Sequence, residues 1–311
     1  MHLGVLILAA GEGTRMRSRL PKVLHRLAGK PLLTHVIETA RSITPDEISI
    51  VYGHGGELVR ESLDAPDLDW VEQAERLGTG HAVMQAVPYL QRMDQVLILY
   101  GDVPLISGST LVSLLAALHS TELALLTVDL PDPTGYGRIV RDRDDRVIRI
   151  VEQNDASERE LEICEINTGI MAVRRKRLVE WLSRLENNNA QNEYYLTDII
   201  AMAVSEGVNI QVVHPVCEEE VMGVNDRKQL SHLERFYQLQ QADALMQSGV
   251  TLSDPSRIDV RGSLKTGRDV CIDFNCLFEG EVTLADGVSV GPNVVIRNSS
   301  VGPDTQIFAN S

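Results

Sequence analysis

The sequence predicts an α/β domain on a mostly parallel sheet, then a long helix, then the opening coils of a parallel β-helix. Three observations predict it. Short apolar runs alternate with helix-period segments over about the first 225 residues. A single amphipathic pattern then runs from Asn225 to about Met246. After it, apolar or β-branched residues recur at every sixth position. The boundaries implied are 1–226 for the α/β domain, 227–249 for the connector helix and 250–311 for the β-helix start.

Residues 3–8 form a nearly unbroken apolar run ending in Ala9, Ala10 and Gly11, which suits a strand buried on both faces. Residues 32–43 read as helix, 47–52 as strand, 79–90 as helix, 95–100 as another buried strand, 109–119 as helix and 123–130 as strand. In such sheets ligands bind beyond the carboxyl ends of the strands. That rule directs attention to Gly11 onward and to Gly101 and Asp102. In the connector, Leu230, Leu233, Tyr237 and Leu245 recur at helical spacing, with Phe236 and Leu239 alongside and Gly249 as a stop signal. Val260, Thr266, Ile272, Phe278, Leu284, Val290 and Ile296 follow six residues apart; the register slips by one, and Val301 and Ile307 resume it. Ordinary hairpins would need a coincidence to give that register. Such coils require neighbours and a terminal cap, so the expectation is a truncated piece of a longer protein.

Composition narrows the function. With 43% apolar residues among 311, the composition argues against intrinsic disorder. Lys plus Arg is 29 against 44 Asp plus Glu, a net charge of −15. That balance argues against a nucleic-acid-binding surface, while leaving room for a small phosphate site. Aromatic residues, at 4%, are too few for a base-stacking platform. No stretch approaches the roughly 18 apolar residues of a membrane span, and the N-terminus runs into a strand without a basic leader. Cys164, Cys217, Cys271 and Cys276 match no zinc spacing and read as reduced thiols of a cytoplasmic protein.

The segment LAAGEGTRM at 8–16 places a glycine loop after a buried strand, where backbone N–H groups can approach phosphates. It begins like G-x-G-x-x-G but has Met16 at the third glycine position, and it lacks the G-K-[ST] ending of a P-loop. A plain strand–turn reading fits the loop equally well. Arg15, Pro21 and Lys22 tip the balance: a guanidinium fork and a compact ammonium beside a glycine loop make a local phosphate site in an acidic protein. Lys22 alone would be an ordinary surface lysine. Asp102 ends a buried strand, and Mg²⁺ takes one or two carboxylates together with substrate phosphates. A lone Asp there more often caps a turn. Asn225 could add an oxygen ligand, although Asn before a helix usually caps it.

Taken together, the motifs resemble sugar nucleotidyltransferases, which share L-A-A-G-x-G-T-R-M and a downstream P-K. More narrowly, the chain resembles the N-terminal uridylyltransferase half of the bacterial bifunctional N-acetylglucosamine-1-phosphate uridylyltransferase / glucosamine-1-phosphate acetyltransferase. The narrower match rests on YGHGG at 52–56, QAE at 73–75, LGTGHA at 77–82, YGDVPL at 100–105, DPTGYGRI at 132–139, EINTGI at 165–170, NNNAQ at 187–191, EYY at 193–195 with Thr197 and Asp198, and GVN at 223–225.

The resemblance implies a Rossmann-like nucleotidyltransferase domain followed by a left-handed β-helix. It implies Mg²⁺-dependent uridylyl transfer from UTP to N-acetylglucosamine-1-phosphate, giving UDP-N-acetylglucosamine and pyrophosphate for cell-wall and lipopolysaccharide precursors. By position it implies that Leu8, Ala9, Ala10, Gly11 and Gln73 hold the uracil and ribose, with Gly78 and Thr79 lining the nucleotide site. Arg15 and Lys22 would neutralise the triphosphate, and Asp102, preceded by Gly101, would hold Mg²⁺ with Asn225. Tyr100, Gly137, Glu152 and Asn167 would line the sugar-phosphate site. Residues 142–146 run one residue longer than the usual pattern before Glu152. Acetyl transfer is not expected, because the remaining β-helix coils would carry it. The family's homotrimer is built through that β-helix, and the roughly two to three coils present leave trimerisation open. Other readings are a nucleotidyltransferase for another sugar phosphate or base, such as a thymidylyl or cytidylyl enzyme, a non-catalytic sugar-nucleotide-binding subunit in which Arg15, Lys22 or Asp102 would have drifted, and a purely structural β-helix protein.

Overall fold

The computed structural model describes residues 1–11, 13–53, 56–63 and 65–311. Glu12 of the glycine loop and His54 and Gly55 of the motif at 52–56 lie outside the described residues. The chain divides into two units, Met1–Leu24 with Leu32–Asn225 and His25–Pro31 with Asp226–Ser311.

The first unit is built on a nine-stranded sheet. Its strands are β1 (Leu3–Ala9), β2 (Glu47–Gly53), β3 (Asp69–Gln73), β4 (Gln95–Tyr100), β5 (Leu123–Asp129), β6 (Arg138–Arg141), β7 (Val147–Val151), β8 (Glu165–Arg174) and β9 (Gln211–Val213). The spatial order is β9-β5-β8-β4-β1-β2-β3, with the β6–β7 hairpin attached to β8. Strands β4, β1, β2 and β3 are mutually parallel, as is the pair β9 and β5. Strand β8 is inserted antiparallel between β4 and β5.

Strand alternation sorts β1 into two cores, as expected for a sheet covered on both faces. Val5, Ile7 and Ala9 face Leu33, Val36 and Ile37 of α1 (Leu32–Ser42). Leu6 and Leu8 face the other layer. There α2 (Thr79–Ala86) contributes Val83 and Ala86. Leu111 and Leu114 of α3 (Gly108–Ala117) join the first core. Trp181 of α4 (Arg175–Leu182) and Ile199 of α5 (Asp198–Ser205) join the second. Leu6 and Ile7 are wholly buried; each such side chain contributes about 1.5–3 kcal/mol relative to exposure. The helical pattern at 79–90 resolves into α2 followed by a 3₁₀ turn, Val87–Leu90. Pro88 lacks the N–H that an α-helix would need there. Between β6 and β7 the chain turns through Asp145, which has φ 63°, with a register shift between Val140 and Arg141. Glu152 follows β7 directly.

In the second unit α6 spans Arg227–Gln247, and its N-cap is Asp226, whose side chain accepts from Lys228 N and Gln229 N. Its buried residues are Leu233, Gln238 and Ala242, whereas Leu239 is exposed. A polar residue thus occupies the centre of the stripe, and it is satisfied there. Gln238 donates to Val260 O at 3.0 Å and accepts from Val260 N at 2.7 Å, closing the free edge of the first coil. The coils pair in parallel: Val260 meets Phe278 and Phe278 meets Ile296, eighteen positions apart each time. Leu284 pairs with Val301 and Val290 with Ile307, seventeen apart. The one-residue slip in the sequence period is therefore a shortened coil. Among the described residues no helix is long and apolar enough to cross a membrane.

Candidate active site

Because β4, β1, β2 and β3 run parallel, their carboxyl ends lie along one edge of the sheet. Leu8 pairs with Tyr100, Gly53 with Gln73, and Gly101 N donates to Leu8 O at 2.9 Å. These pairings bring together segments nearly a hundred residues apart in the chain. A cavity of about 360 Å³ opens there, lined by Leu8, Ala9, Ala10, Gly11, Lys22, Val23, Gln73, Arg76, Gly78, Thr79, Ala82, Tyr100, Asp102 and Glu193. An adjoining cavity of about 340 Å³ shares Ala9, Ala10, Gly11 and Arg76 and adds Arg19.

Ten of the residues singled out by sequence thus share one wall. Lys22 arrives there because the glycine loop packs against it. A Cβ on Gly13, which has φ 64°, would stand 2.6 Å from Lys22 Cβ, so only glycine allows this approach. Lys22 Nζ donates to Asp102 Oδ2, and to Asn225 Oδ1 at 3.0 Å. The side chains of Lys22 and Asp102 are only 11% and 16% exposed. Asn225 is released for this role because Asp226 takes the helix cap. It is held close because Val224 N donates to Asp102 O at 2.8 Å.

The two oxygens of Asp102 and Asn225 converge on a cation, the lysine ammonium, which shows that their placement suits positive charge. Among the described residues no group of three or more His, Cys, Asp or Glu side chains could hold a metal. One carboxylate and one amide oxygen are what Mg²⁺ takes from a protein when substrates supply the remaining oxygens.

The second half of the site lies along β8 and the β6–β7 hairpin. Asn167 N donates to Gly137 O at 2.8 Å, and a Cβ on Gly137 would stand 3.3 Å from Glu152 Oε2. Asn167 Oδ1 accepts from Gly169 N at 3.1 Å, leaving its Nδ2 as the donor for a ligand. Gly169 faces the Tyr100 ring, so Tyr100 joins this group to the cavity. Glu152 accepts from Thr197 Oγ1 at 2.9 Å. Burial pushes its carboxyl above the usual range; the Thr197 bond opposes this, and Asp198, Asp155 and Glu193 add to it. Burial, with Glu152 and Asp102 nearby, likewise pushes the Tyr100 phenol up, so it stays a neutral hydroxyl.

Arg15 stands apart. It is exposed in the 3₁₀ turn Thr14–Met16 and lines neither cavity. Its field reaches Tyr136: burial and Asp102 raise that phenol, and Arg15 lowers it.

Arg76 was not singled out by the sequence, and Glu193 entered only as part of the motif at 193–195, without a role. Arg76 lies between Gln73 and Gly78, and a basic residue in the loop after a strand's carboxyl end was the available signal. Glu193 belongs to a segment that builds the loop at 77–80 from outside. Tyr194 N donates to Leu77 O at 2.7 Å, Gly80 N to Tyr194 O at 2.8 Å, and Leu196 N to Thr79 Oγ1 at 3.2 Å. Gly78, with φ 102°, passes so close that a Cβ would stand 2.7 Å from Tyr194 O.

Comparison with known proteins finds a family model and several close relatives. The model of the MobA-like NTP transferase domain matches residues 5–193. The chain is 58% identical over 309 residues to the bifunctional protein GlmU of Cellvibrio japonicus (strain Ueda107), covering 99% of this chain and 68% of that protein. It is 57% identical over 307 residues to the protein of the same name from Dechloromonas aromatica (strain RCB), again covering 99% and 68%. With that of Idiomarina loihiensis it shares 56% identity over 311 residues, covering 100% and 68%. The chain therefore spans about two thirds of the length of these relatives.

Proposed function

The chain belongs to the GlmU family within the MobA-like NTP transferases, and from that premise we propose that it transfers the uridylyl group of UTP to N-acetylglucosamine-1-phosphate. The observation that carries the reading is the ion pair of Lys22 with Asp102 and its link to Asn225, on the wall of a cavity edged by the glycine loop.

The sugar phosphate is already anionic at neutral pH, so no side chain has to act as a general base. Its oxygen forms a bond to the α-phosphorus of UTP, the bond to the bridging oxygen breaks, and pyrophosphate leaves with that electron pair. The obstacle is repulsion between two anions and the charge that grows on the leaving group. Lys22 and Arg76 present positive charge on the cavity wall, and Arg15 adds its field from outside the cavity lining. The backbone of Ala9, Ala10 and Gly11 is close enough for ligand contact because these residues carry little or no side chain. Gly78 and Gln73 define the end where the base is bound. Tyr100, Asn167, Gly137 and Glu152 hold the sugar and orient its phosphate, which converts a bimolecular encounter into an aligned one. Asp102 and Asn225 would hold Mg²⁺, whose charge neutralises phosphate oxygens. The four cysteines are free thiols, in keeping with a cytoplasmic protein.

The test is pyrophosphate release from UTP with N-acetylglucosamine-1-phosphate and Mg²⁺, with CTP and dTTP as controls. Rapid release with UTP supports the proposal. No release with any nucleotide would mean a binding subunit.

A further inference from the structure

His81 and Gln85 lie behind the cavity wall, and no part of the chemistry above uses them. They nevertheless determine which way round Gln73 stands. Gln73, the last residue of β3, is 3% exposed. Its Nε2 donates to Gly78 O at 3.1 Å and lies 3.1 Å from His81 Nδ1. A backbone carbonyl can only accept, so the amide end facing Gly78 has to be the NH₂. The second hydrogen of that NH₂ then points to His81 Nδ1, which has to be the unprotonated nitrogen of a neutral ring.

The proton of the ring is therefore on Nε2, which lies 3.0 Å from the Gln85 amide. The nitrogen of that amide, Nε2, faces the ring; a half-turn presents Oε1 as the acceptor this tautomer requires. Residues 81 and 85 share one face of α2, and the Tyr194 ring packs beside His81 with centroids 6.4 Å apart. The chain Gln85–His81–Gln73 thus has one self-consistent hydrogen-bond order. In that order both hydrogens of the Gln73 amide are engaged, and its oxygen is the group left for a ligand.

We propose that His81, steadied by Gln85, is a positioning residue that locks the Gln73 carboxamide with its oxygen towards the nucleotide, so that the site selects a base with a ring N–H donor. Uracil has such a donor at N3; cytosine has an acceptor there and meets an unpaired oxygen. The proposal rests on the reading that this cavity binds the base of UTP. Turning the Gln73 amide over would set its oxygen against Gly78 O and against His81 Nδ1, so His81 supplies one of two barriers to reversal. Loss of an acceptor that faces a buried amide is a hydrogen-bond effect of roughly tenfold.

The experiment measures kcat/KM for UTP and for CTP, with N-acetylglucosamine-1-phosphate and Mg²⁺, in the wild type, His81→Phe, His81→Asn and Gln73→Ala. Phe keeps the packing on Tyr194 and removes the acceptor; Asn returns an acceptor close to the Nδ1 position. The expected result is a UTP-to-CTP ratio lowered about tenfold in His81→Phe, through a raised KM for UTP at nearly unchanged kcat. His81→Asn should recover the ratio, and the KM for the sugar phosphate should not move. An unchanged ratio in His81→Phe, with a collapsed ratio in Gln73→Ala, overturns the role of His81 and leaves the base site standing. An unchanged ratio in Gln73→Ala overturns the base site itself, and the proposal with it. Should His81→Phe fail to fold, Gln85→Leu frees the ring to change tautomer, and the same ratio has to fall or the proposal is wrong.

Discussion

Lys22 and Asp102, eighty positions apart, form an ion pair on the cavity wall, and Lys22 Nζ also donates to the amide oxygen of Asn225. A pair this little exposed acts on substrate charge with less screening than a surface pair would. Lys22→Ala and Asp102→Ala are each expected to lower turnover by about 10²-fold or more while the circular dichroism stays that of a folded protein. Asp102→Ala should also raise the Mg²⁺ concentration that gives half-maximal rate. Unchanged turnover and unchanged Mg²⁺ dependence would remove Asp102 from the site.

Glu152 is a half-buried carboxylate whose pKa is raised, chiefly by desolvation. A raised carboxyl binds its proton more tightly in the folded state, so its contribution to stability is full below the unfolded pKa and is lost as pH rises through the folded one. Glu152→Gln keeps an acceptor for Thr197 and removes the charge. The variant should melt at a higher temperature than wild type near pH 7.5, with the difference fading towards pH 4. Its KM for the sugar phosphate should rise while its KM for UTP holds. A melting difference independent of pH would show that the charge is not the cause.

Gly78 combines φ 102° with a backbone oxygen 2.7 Å from where a Cβ would be. Gly78→Ala should cost about 1–3 kcal/mol of stability and raise the KM for UTP, because the strain falls on the carbonyl that orients Gln73. Chemical denaturation with parallel kinetics checks both; a wild-type KM would show that the loop adapts.

Arg76→Ala tests a residue whose importance comes from its position on two cavities. A KM for UTP raised about tenfold, from the loss of a charge-assisted contact, is the expected reading. A change confined to the sugar-phosphate KM would place Arg76 on the other substrate.

In the second unit, Gln238→Leu leaves both polar groups of Val260 without their amide partner. At about 1–3 kcal/mol for each buried unsatisfied group, the β-helix unit should unfold at clearly lower denaturant. Uridylyl transfer, measured below that transition, should be retained.

Much of this was legible because local periodicity and burial leave marks on a sequence. Residues 5–8 and 96–99 are apolar throughout because both faces of β1 and β4 are covered. The six-residue period reported the coils, down to the slip that shortens one of them. Strand direction leaves no such mark. The apolar stretch of β8 would read the same whether the strand ran parallel or antiparallel, and its reversed insertion was invisible. Leu239 matched the helical period as well as its neighbours did, yet Gln238 holds the buried position, since a hydrogen-bond partner twenty-two residues away decides it.

The same division holds at the site. The sequence by itself determined the α/β class and the strand-end location of the glycine loop and of Asp102, and through resemblance it named the residues proposed to meet substrate. Only the tertiary structure decided that Asp226 caps α6 and releases Asn225, that residues 193–196 build the Gly78 loop, and that His81 orders the Gln73 amide. The reason is physical. A period or a turn signal depends on neighbours along the chain. A hydrogen bond between Gln73 and His81, or between Lys22 and Asn225, depends on which strands lie side by side, and that is settled when the sheet assembles.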